Sequence, residues 1–317
     1  VAATLLSLPD VVVRYGDTAT LQIAALDLQA GDVLAIIGPN GSGKSTLLRV
    51  MGLLQRPSDG TVMFRGENAF DGNLLRLRRH CATVFQEPLL LNATVYENAV
   101  LGLKLRGLSN HEIARRLDPW LERLGIAHLR QRFARSLSGG EAQRTSLVRA
   151  LVLEPEILLL DEPFAALDPA TREALLRDFQ AILNESKITA VFVTHDRNEA
   201  FGLAGRIAVL HHGRMAQIGA REDVFHRPAS EIVADIVGNE NRLPGVVEDC
   251  DGRYVTICVN QIRLRAAGGL KPGTPVIVCL RPESLMIRRD NLRASDSNRL
   301  TGIIKGVLAG LIHQRIT

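Results

Sequence analysis

Gly38-Pro39-Asn40-Gly41-Ser42-Gly43-Lys44-Ser45-Thr46 follows the apolar run Val33-Leu34-Ala35-Ile36-Ile37 and opens a helical pattern from Lys44 to Leu53. The spacing is G-x-x-x-x-G-K-[ST], placed between a buried strand and a helix as that pattern requires. Glycines let successive backbone N–H groups curl around phosphate oxygens, and the helix start adds partial positive charge. Lys44 is then placed to reach the β- and γ-phosphates of a nucleotide, and the Ser45 hydroxyl to ligate Mg²⁺.

Outward from this loop, short apolar runs alternate with helical patterns. Val11 to Val13 and Leu21 to Leu28 read as strands, as do Ile157 to Leu160 and Ala190 to Val193. Helix-like segments follow the last two, over Pro169 to Glu185 and Arg197 to Ala204. The alternation implies an α/β domain with a mainly parallel sheet covered on both faces. Between Thr94 and Arg132 the pattern turns helical, with Trp120, Leu121, Leu124 and Ile126 as its apolar side and Pro119 expected in a first turn. That interruption reads as an inserted helical subdomain, about residues 90–150. After Gly238 the character changes to β-type runs, Tyr254 to Val259 and Val276 to Leu280, with turns at Gly268-Gly269 and 271–275. The expected division is 1–238 for the first domain and 239–317 for a small β domain.

Composition sets the outer limits. In 317 residues, 46% are hydrophobic and 23% charged, enough apolar content for packed cores and too much for global disorder. The net charge of +4 is too small to argue for nucleic acid. It is unevenly spread: residues 241–317 hold 12 Lys/Arg against 6 Asp/Glu, which leaves residues 1–240 at −2. Cys81, Cys250, Cys258 and Cys279 show no metal spacing and read as reduced, mostly buried thiols of a cytosolic protein. The chain starts at Val1 with no signal-peptide pattern, and its longest apolar candidate, Leu300 to Ile312, is short and carries Lys305. The expectation is a soluble chain.

Two further segments carry chemistry. Ile157-Leu158-Leu159-Leu160-Asp161-Glu162-Pro163 puts two acids at the carboxyl end of a buried strand, beside the phosphate loop. Asp161 is positioned to hold Mg²⁺ and Glu162 to accept a proton from an attacking water. Leu137-Ser138-Gly139-Gly140-Glu141 opens a second helix suited to anions, although Ser138 is also an ordinary N-cap residue. Two phosphate-type helix starts with a single lysine loop suggest a nucleotide shared between subunits.

These segments, with the Thr194-His195-Asp196 that ends a strand, together resemble the nucleotide-binding subunit of an ABC transporter, in the family's order and over about residues 8–237. The resemblance implies a P-loop NTPase fold that binds ATP and Mg²⁺ at residues 38–46. It also implies that Tyr15 stacks on adenine, that Gln86 senses Mg²⁺ and the attacking water, and that Gln86 joins Ser45 and Asp161 as a metal ligand. His195 then contacts the γ-phosphate and orients Glu162. Ser138, Gly139, Gly140 and Glu141 act on the nucleotide of a second copy, and Asp168 lies in the loop crossing between the two. Position 141 is Glu where the family more often has Gln, and position 165 is Ala where Ser is common. An ionised, unpaired Glu141 would weaken the sandwiched state, and Arg144, one turn on, is the expected compensating charge.

The tail resembles the small OB-like domain called TOBE of bacterial importer ATPases, through Leu280-Arg281-Pro282-Glu283-Ser284, Asn239-Glu240-Asn241 and Leu243 to Val247. Such tails accompany importers of molybdate, tungstate, sulfate, ferric iron, polyamines and sugars. The expectation is an ATPase homodimer on the cytoplasmic face of the inner membrane, served by a permease and an extracytoplasmic binding protein. An inorganic oxyanion is favoured as cargo. A soluble relative acting on DNA or the ribosome is disfavoured. Only 95 residues separate Gly43 from Ser138, without coiled-coil heptads, and there is one cassette in the chain.

Overall fold

Alternation along the central strands divides the main hydrophobic interior in two. Ala35 and Ile37 face one side with Ala82, Val84, Leu158, Leu160 and Phe192, while Leu34 and Ile36 face the other with Leu159, Val191 and Val193. A strand buried on both faces has no polar positions to spare, so these segments read as unbroken apolar runs.

The computed structural model describes residues 4–186, 188–239, 241–280, 298, 307–309 and 314–316. The chain separates into two compact units, Val1–Val237 and Gly238–Thr317. The first contains strands β1 (Thr4–Ser7), β2 (Val11–Tyr15), β3 (Thr18–Ile23), β4 (Asp27–Gln29) and β5 (Val33–Ile37), then helix α1 (Lys44–Met51). There follow β6 (Met63–Phe64), β7 (Glu67–Asn68), α2 (Leu74–Arg78), β8 (Cys81–Val84), α3 (Val95–Leu105), α4 (Asn110–Arg123) and α5 (Gly139–Leu151). The unit closes with β9 (Ile157–Asp161), α6 (Pro169–Ser186), β10 (Thr189–Val193), α7 (Arg197–Leu203), β11 (Arg206–His211), β12 (Arg214–Ala220), α8 (Arg221–His226) and α9 (Glu231–Ile236).

Eight strands form one sheet in the order β2-β3-β12-β11-β5-β10-β9-β8. Its five strands from β11 to β8 are parallel, and β11–β12 and β2–β3 pair antiparallel. A second, antiparallel sheet, β4-β1-β6-β7, corrects the expectation that Leu21 to Leu28 is one strand. The chain leaves the large sheet after Ile23 and bends, with Leu26 and Leu8 exchanging backbone hydrogen bonds, before β4 pairs with β1. One face of the large sheet is therefore covered by α1 and a small sheet, through Leu6, Leu28, Phe64, Leu47 and Met51, and not by helices alone.

The helical insert starts cleanly. Thr94–Glu97 and Ser109–Glu112 form reciprocal capping boxes at α3 and α4. Leu121, Leu124 and Ile126 are buried as expected, with Trp120 packed at the margin of the same core. Pro119 is not in a first turn. It lies ten residues into α4, because the capping box at Ser109 sets the start earlier than the proline suggests. Pro119 is exposed, and having no N–H it cannot donate to the Arg115 carbonyl four residues before it. The four cysteines are free and half-buried, not buried as expected. Burial and the Glu156 carboxylate push the Cys81 thiol up to about 12.

In the second unit, β13 (Asn241–Cys250), β14 (Tyr254–Val259), β15 (Ile262–Ala267) and β16 (Pro275–Leu280) form an antiparallel sheet ordered β15-β14-β13-β16. Val247, Val255, Ile257, Val259 and Leu264 make its core. Val307–Ala309 and Gln314–Ile316 pair as two short strands. Arg281 to Ser284, Glu240 and most of the Leu300 to Ile312 run lie outside the described residues. Among the described residues, no helix is long and apolar enough to cross a membrane.

Pro119→Ala restores the missing N–H in α4 without disturbing a buried contact. Urea denaturation of this variant should show the first unit stabilised by about 1–3 kcal/mol. An unchanged or lower midpoint would mean that the helix is built around the proline.

Candidate functional site

Parallel register brings three strand ends together. Ile36 of β5 lies opposite Val193 of β10, and Val193 lies opposite Asp161 of β9. The loop after β5, the acids ending β9 and Thr194-His195 after β10 therefore share one edge of the sheet.

The loop after β5 is shaped by glycine. Gly38 has φ +156°, and a Cβ there would meet the Leu210 carbonyl oxygen at 2.2 Å. Gly43 has φ +98° and caps α1 without any side-chain hydrogen bond. Thr94, Ser109 and Ser138, by contrast, each cap a helix with a side-chain oxygen. The first N–H groups of α1 are thus left for an outside acceptor. Ser42 Oγ is buried with no partner among the described residues, and Gly38, Gly41 and Gly43 all have positive φ. The Lys44 side chain is buried, and its ammonium donates to the Gly38 and Pro39 carbonyls at 2.9 and 3.0 Å. Burial lowers its proton affinity, and the Glu162 and Asp161 carboxylates oppose that shift. Pro39, Asn40 and Gly41 are exposed at the tip, and Thr46 is buried beneath it. A buried cation, unspent N–H groups and an orphaned hydroxyl converging on one loop fit a polyphosphate.

Ser45 Oγ donates to Asp161 Oδ1 at 3.2 Å. Burial raises the Asp161 pKa, and the adjacent Glu162 charge adds to the rise, so a cation here would relieve both. Glu162 sits in the left-handed region at φ +46°, where its backbone N–H donates to the Val193 carbonyl at 3.0 Å. That turn aims its carboxylate at His195, whose Nδ1 is 3.1 Å from Glu162 Oε2. Gln86 is exposed two residues past β8, whose Val84 pairs with Leu160. Tyr15 is 52% exposed at the end of β2 and donates to Gln55 at 3.1 Å. Its hairpin partner β3 reaches the loop, with Leu21 and Thr20 bordering Gly43.

The Ser138 segment stands apart from this group. Among the described residues, no hydrogen bond or ion pair joins 138–141 to the phosphate loop; Gly140 instead packs against Thr171. Asp168 is exposed and accepts from the Thr171 N–H at 3.1 Å, capping the start of α6. Glu141 is the third residue of a capping box: the Ser138 N–H donates to its carboxylate at 2.7 Å, and its own N–H donates to Ser138 Oγ at 3.3 Å. The Ser138 backbone bond holds its carboxyl below the usual range, with Arg132 at 3.6 Å as its ion-pair partner. Arg144 is not that partner. It is drawn to Asp178 at 2.6 Å and to the Leu124 carbonyl.

Two residues not singled out in the sequence, Glu199 and Arg172, brace the segment on either side of His195. Thr194 Oγ1 donates to buried Glu199 at 2.5 Å and accepts from the Asp196 N–H at 3.0 Å. Arg172 reaches the carbonyls of Phe164 and Ala165 and pairs with Asp196 and Glu199. The signal was present in Asp196-x-x-Glu199, an acidic helix start that reads as ordinary capping until its burial is seen.

Fold and site together define a phosphate-loop ATPase with a helical insert. Residues 21–165 match the family model described as ABC transporter. The sulfate/thiosulfate import ATP-binding protein CysA of Bradyrhizobium diazoefficiens is 38% identical over 282 residues, 87% of this chain and 80% of its own. The molybdate/tungstate import ATP-binding protein WtpC of Pyrococcus horikoshii is 37% identical over 90% of this chain and 81% of its own. The spermidine/putrescine import ATP-binding protein PotA of Chromobacterium violaceum is 34% identical over 90% and 80%. The dimeric ATP-binding cassette MJ0796, solved with ADP and Pi, superposes with a TM-score of 0.63 at 30% identity, over 68% of this chain and 99% of its own. The chain belongs to the ABC transporter family, as an ATPase of the importer type.

Burial raises the Glu199 pKa above its ordinary 4.5, so the fold favours its protonated form. The stability this confers is complete below that value and is lost as pH rises through the higher folded value. Glu199→Gln removes the titration. Its urea midpoint should fall less than the parent's between about pH 4.5 and pH 8. Parallel pH curves would show that folding leaves the proton affinity of Glu199 unchanged.

Proposed function

We propose that this chain is the ATP-hydrolysing subunit of a membrane import complex for an inorganic oxyanion, molybdate or tungstate first and sulfate next. The observation that carries the enzymatic part is the Glu162–His195 contact at the edge shared with the phosphate loop. Glu162 polarises and deprotonates the attacking water, and His195 holds both that carboxylate and the γ-phosphate. Lys44 exchanges its two loop carbonyls for phosphate oxygens. Ser45 and Asp161, with Gln86, would hold Mg²⁺, which would supply charge neutralisation to the bound phosphates. Among the described residues no three His, Cys, Asp or Glu groups converge into a complete metal cage, so phosphate and water oxygens would fill the remaining positions. Tyr15 lies open to stack on adenine.

The separation of Ser138 from the loop within one chain supports a head-to-tail homodimer, in which residues 138–141 of one copy meet the ATP of the other and Asp168 lies at the crossing. Hydrolysis then waits for closure. A permease would dock in the groove of about 350 Å³ beside Gln86, where Leu54, Phe85, Leu101 and Leu105 are exposed hydrophobics. This reading makes the chain peripheral on the cytoplasmic face, with an extracytoplasmic binding protein delivering cargo. The second unit is read as the TOBE-like module, setting the spacing of the dimer. For the cargo, the sulfate and molybdate relatives share 38% and 37% identity against 34% for the polyamine relative, over similar spans.

Two substitutions separate chemistry from binding. Glu162→Gln should bind ATP normally while hydrolysis drops roughly 10²- to 10⁴-fold and a nucleotide-bound dimer accumulates. Lys44→Ala should instead weaken ATP binding by about 10- to 100-fold. Parent-like turnover in Glu162→Gln would remove it as the base.

Cargo is decided by ATP-driven uptake in vesicles holding the permease, this subunit and the binding protein. Molybdate, tungstate and sulfate are compared with ferric iron, spermidine and maltose. Uptake of one of the last three would overturn the oxyanion assignment and leave the ATPase untouched.

A further inference from the structure

The amino ends of β8 and β9 border an open cavity of about 590 Å³ in the first unit. Four arginines line it, Arg76, Arg79, Arg106 and Arg116, against a single acid, Glu154, with the exposed Leu75 at its rim. It is separate from the ATP site. β8 and β9 run from this cavity to Gln86 and Asp161, a span of about 13–17 Å for strands of this length.

The arginines are only partly used. Arg106 donates to the Leu153 carbonyl at 3.1 Å and to the Arg79 carbonyl at 2.7 Å, which fixes its guanidinium between the end of α2 and the α5–β9 connection. That leaves three of its five N–H donors. Arg116 Nη1 pairs with Glu154 at 3.1 Å, while its Nε is buried with no partner among the described residues. The Arg79 guanidinium, in contrast to those of Arg76 and Arg116, makes no hydrogen bond or ion pair with any described residue. His80 is taken by Glu156 at 2.6 Å.

We propose that this cavity is an anion site for a ligand carrying a phosphate group, or a tetrahedral oxyanion of the same shape, held by Arg79, Arg106 and Arg116. Guanidinium forks match tetrahedral oxyanions in geometry and charge, and clustered cations in a concave wall raise the local concentration of such ligands. Burial and the neighbouring Arg79 and Arg116 charges lower the Arg106 pKa, so the cluster is mutually repelled as it stands and a dianion would relieve it. The cavity is wider than one oxyanion, and Leu75 and Leu153 give it an apolar side, which suits an organic phosphate. Its walls come from both the parallel core and the helical insert, so an occupant would tie α3 and α4 to β8.

The test uses the full chain with its nucleotide site filled by a non-hydrolysable ATP analogue and Mg²⁺. Titration calorimetry with inorganic phosphate should show a binding event that Arg79→Glu weakens at least about tenfold. Arg79→Gln should lie between the two, and ATP affinity should be equal in all three. Flotation with phosphatidic acid vesicles against phosphatidylcholine vesicles identifies the source. Arg79-dependent flotation tighter than the free-phosphate affinity assigns the site to a lipid headgroup, and phosphate binding without flotation assigns it to a soluble ligand. No phosphate binding and no flotation, or binding that Arg79→Glu leaves unchanged, overturns the proposal.

Discussion

The register of β9, β10 and β5 is the constraint on which the rest of the site depends. With Asp161, Val193 and Ile36 side by side, each chain emerges from the sheet at the same height and must turn at once. A one-residue slip would reverse every side chain on a strand and send Leu158 and Leu160 into the opposite core. Burial on both faces forbids such a slip, so the two hydrophobic interiors hold a polar constellation in which they take no direct part. Glu162 shows the tightness of this arrangement. Its backbone adopts an unfavourable left-handed conformation because its N–H is still committed to the ladder, through Val193, while its side chain must already face His195.

Electrostatics at that edge are poised around Lys44. Burial disfavours its charged form while two carboxylates favour it, and one of them, Asp161, is itself disfavoured as an anion by burial. The loop carbonyls that Lys44 holds are weak acceptors beside phosphate oxygens. ATP therefore offers Lys44 stronger acceptors without displacing strong internal pairs, and Mg²⁺ would supply the positive charge that Asp161 and Glu162 lack.

Much of this was legible in the sequence, for a definite reason. The phosphate loop, the Asp161-Glu162 strand end and the helices over 44–53, 169–185 and 197–204 are local features, set by glycine placement and periodicity. What escaped was long-range. The second sheet depends on β1 finding β4 and β6, and none of these short strands carries a pattern of its own. Arg144 pairs across to α6, and Arg132 reaches Glu141 from the preceding loop, choices that helical spacing alone does not dictate. Pro119 misled because proline is commonest at a helix start, whereas here the start is set by Ser109 and Glu112. The Thr194–Glu199–Arg172 support was hidden because its significance lies in burial, which a sequence does not display.

Glu141 brings the local and the functional readings together. An added negative charge close to a nucleotide sandwiched between copies would oppose closure if it were free to face the phosphates. It is not free: its carboxylate is turned back onto the Ser138 N–H and toward Arg132. The same bond fixes the backbone at the start of α5, and a glutamine at this position would make it with a neutral acceptor. The glutamate makes a stronger, charge-assisted version and directs its remaining field at Arg132. The departure from the commoner residue is thus absorbed within the first turn of its own helix. Among the described residues Ser138 Oγ accepts only the 3.3 Å bond from the Glu141 N–H, and it is exposed, which leaves its hydroxyl proton available to an outside acceptor, as the proposed head-to-tail dimer requires.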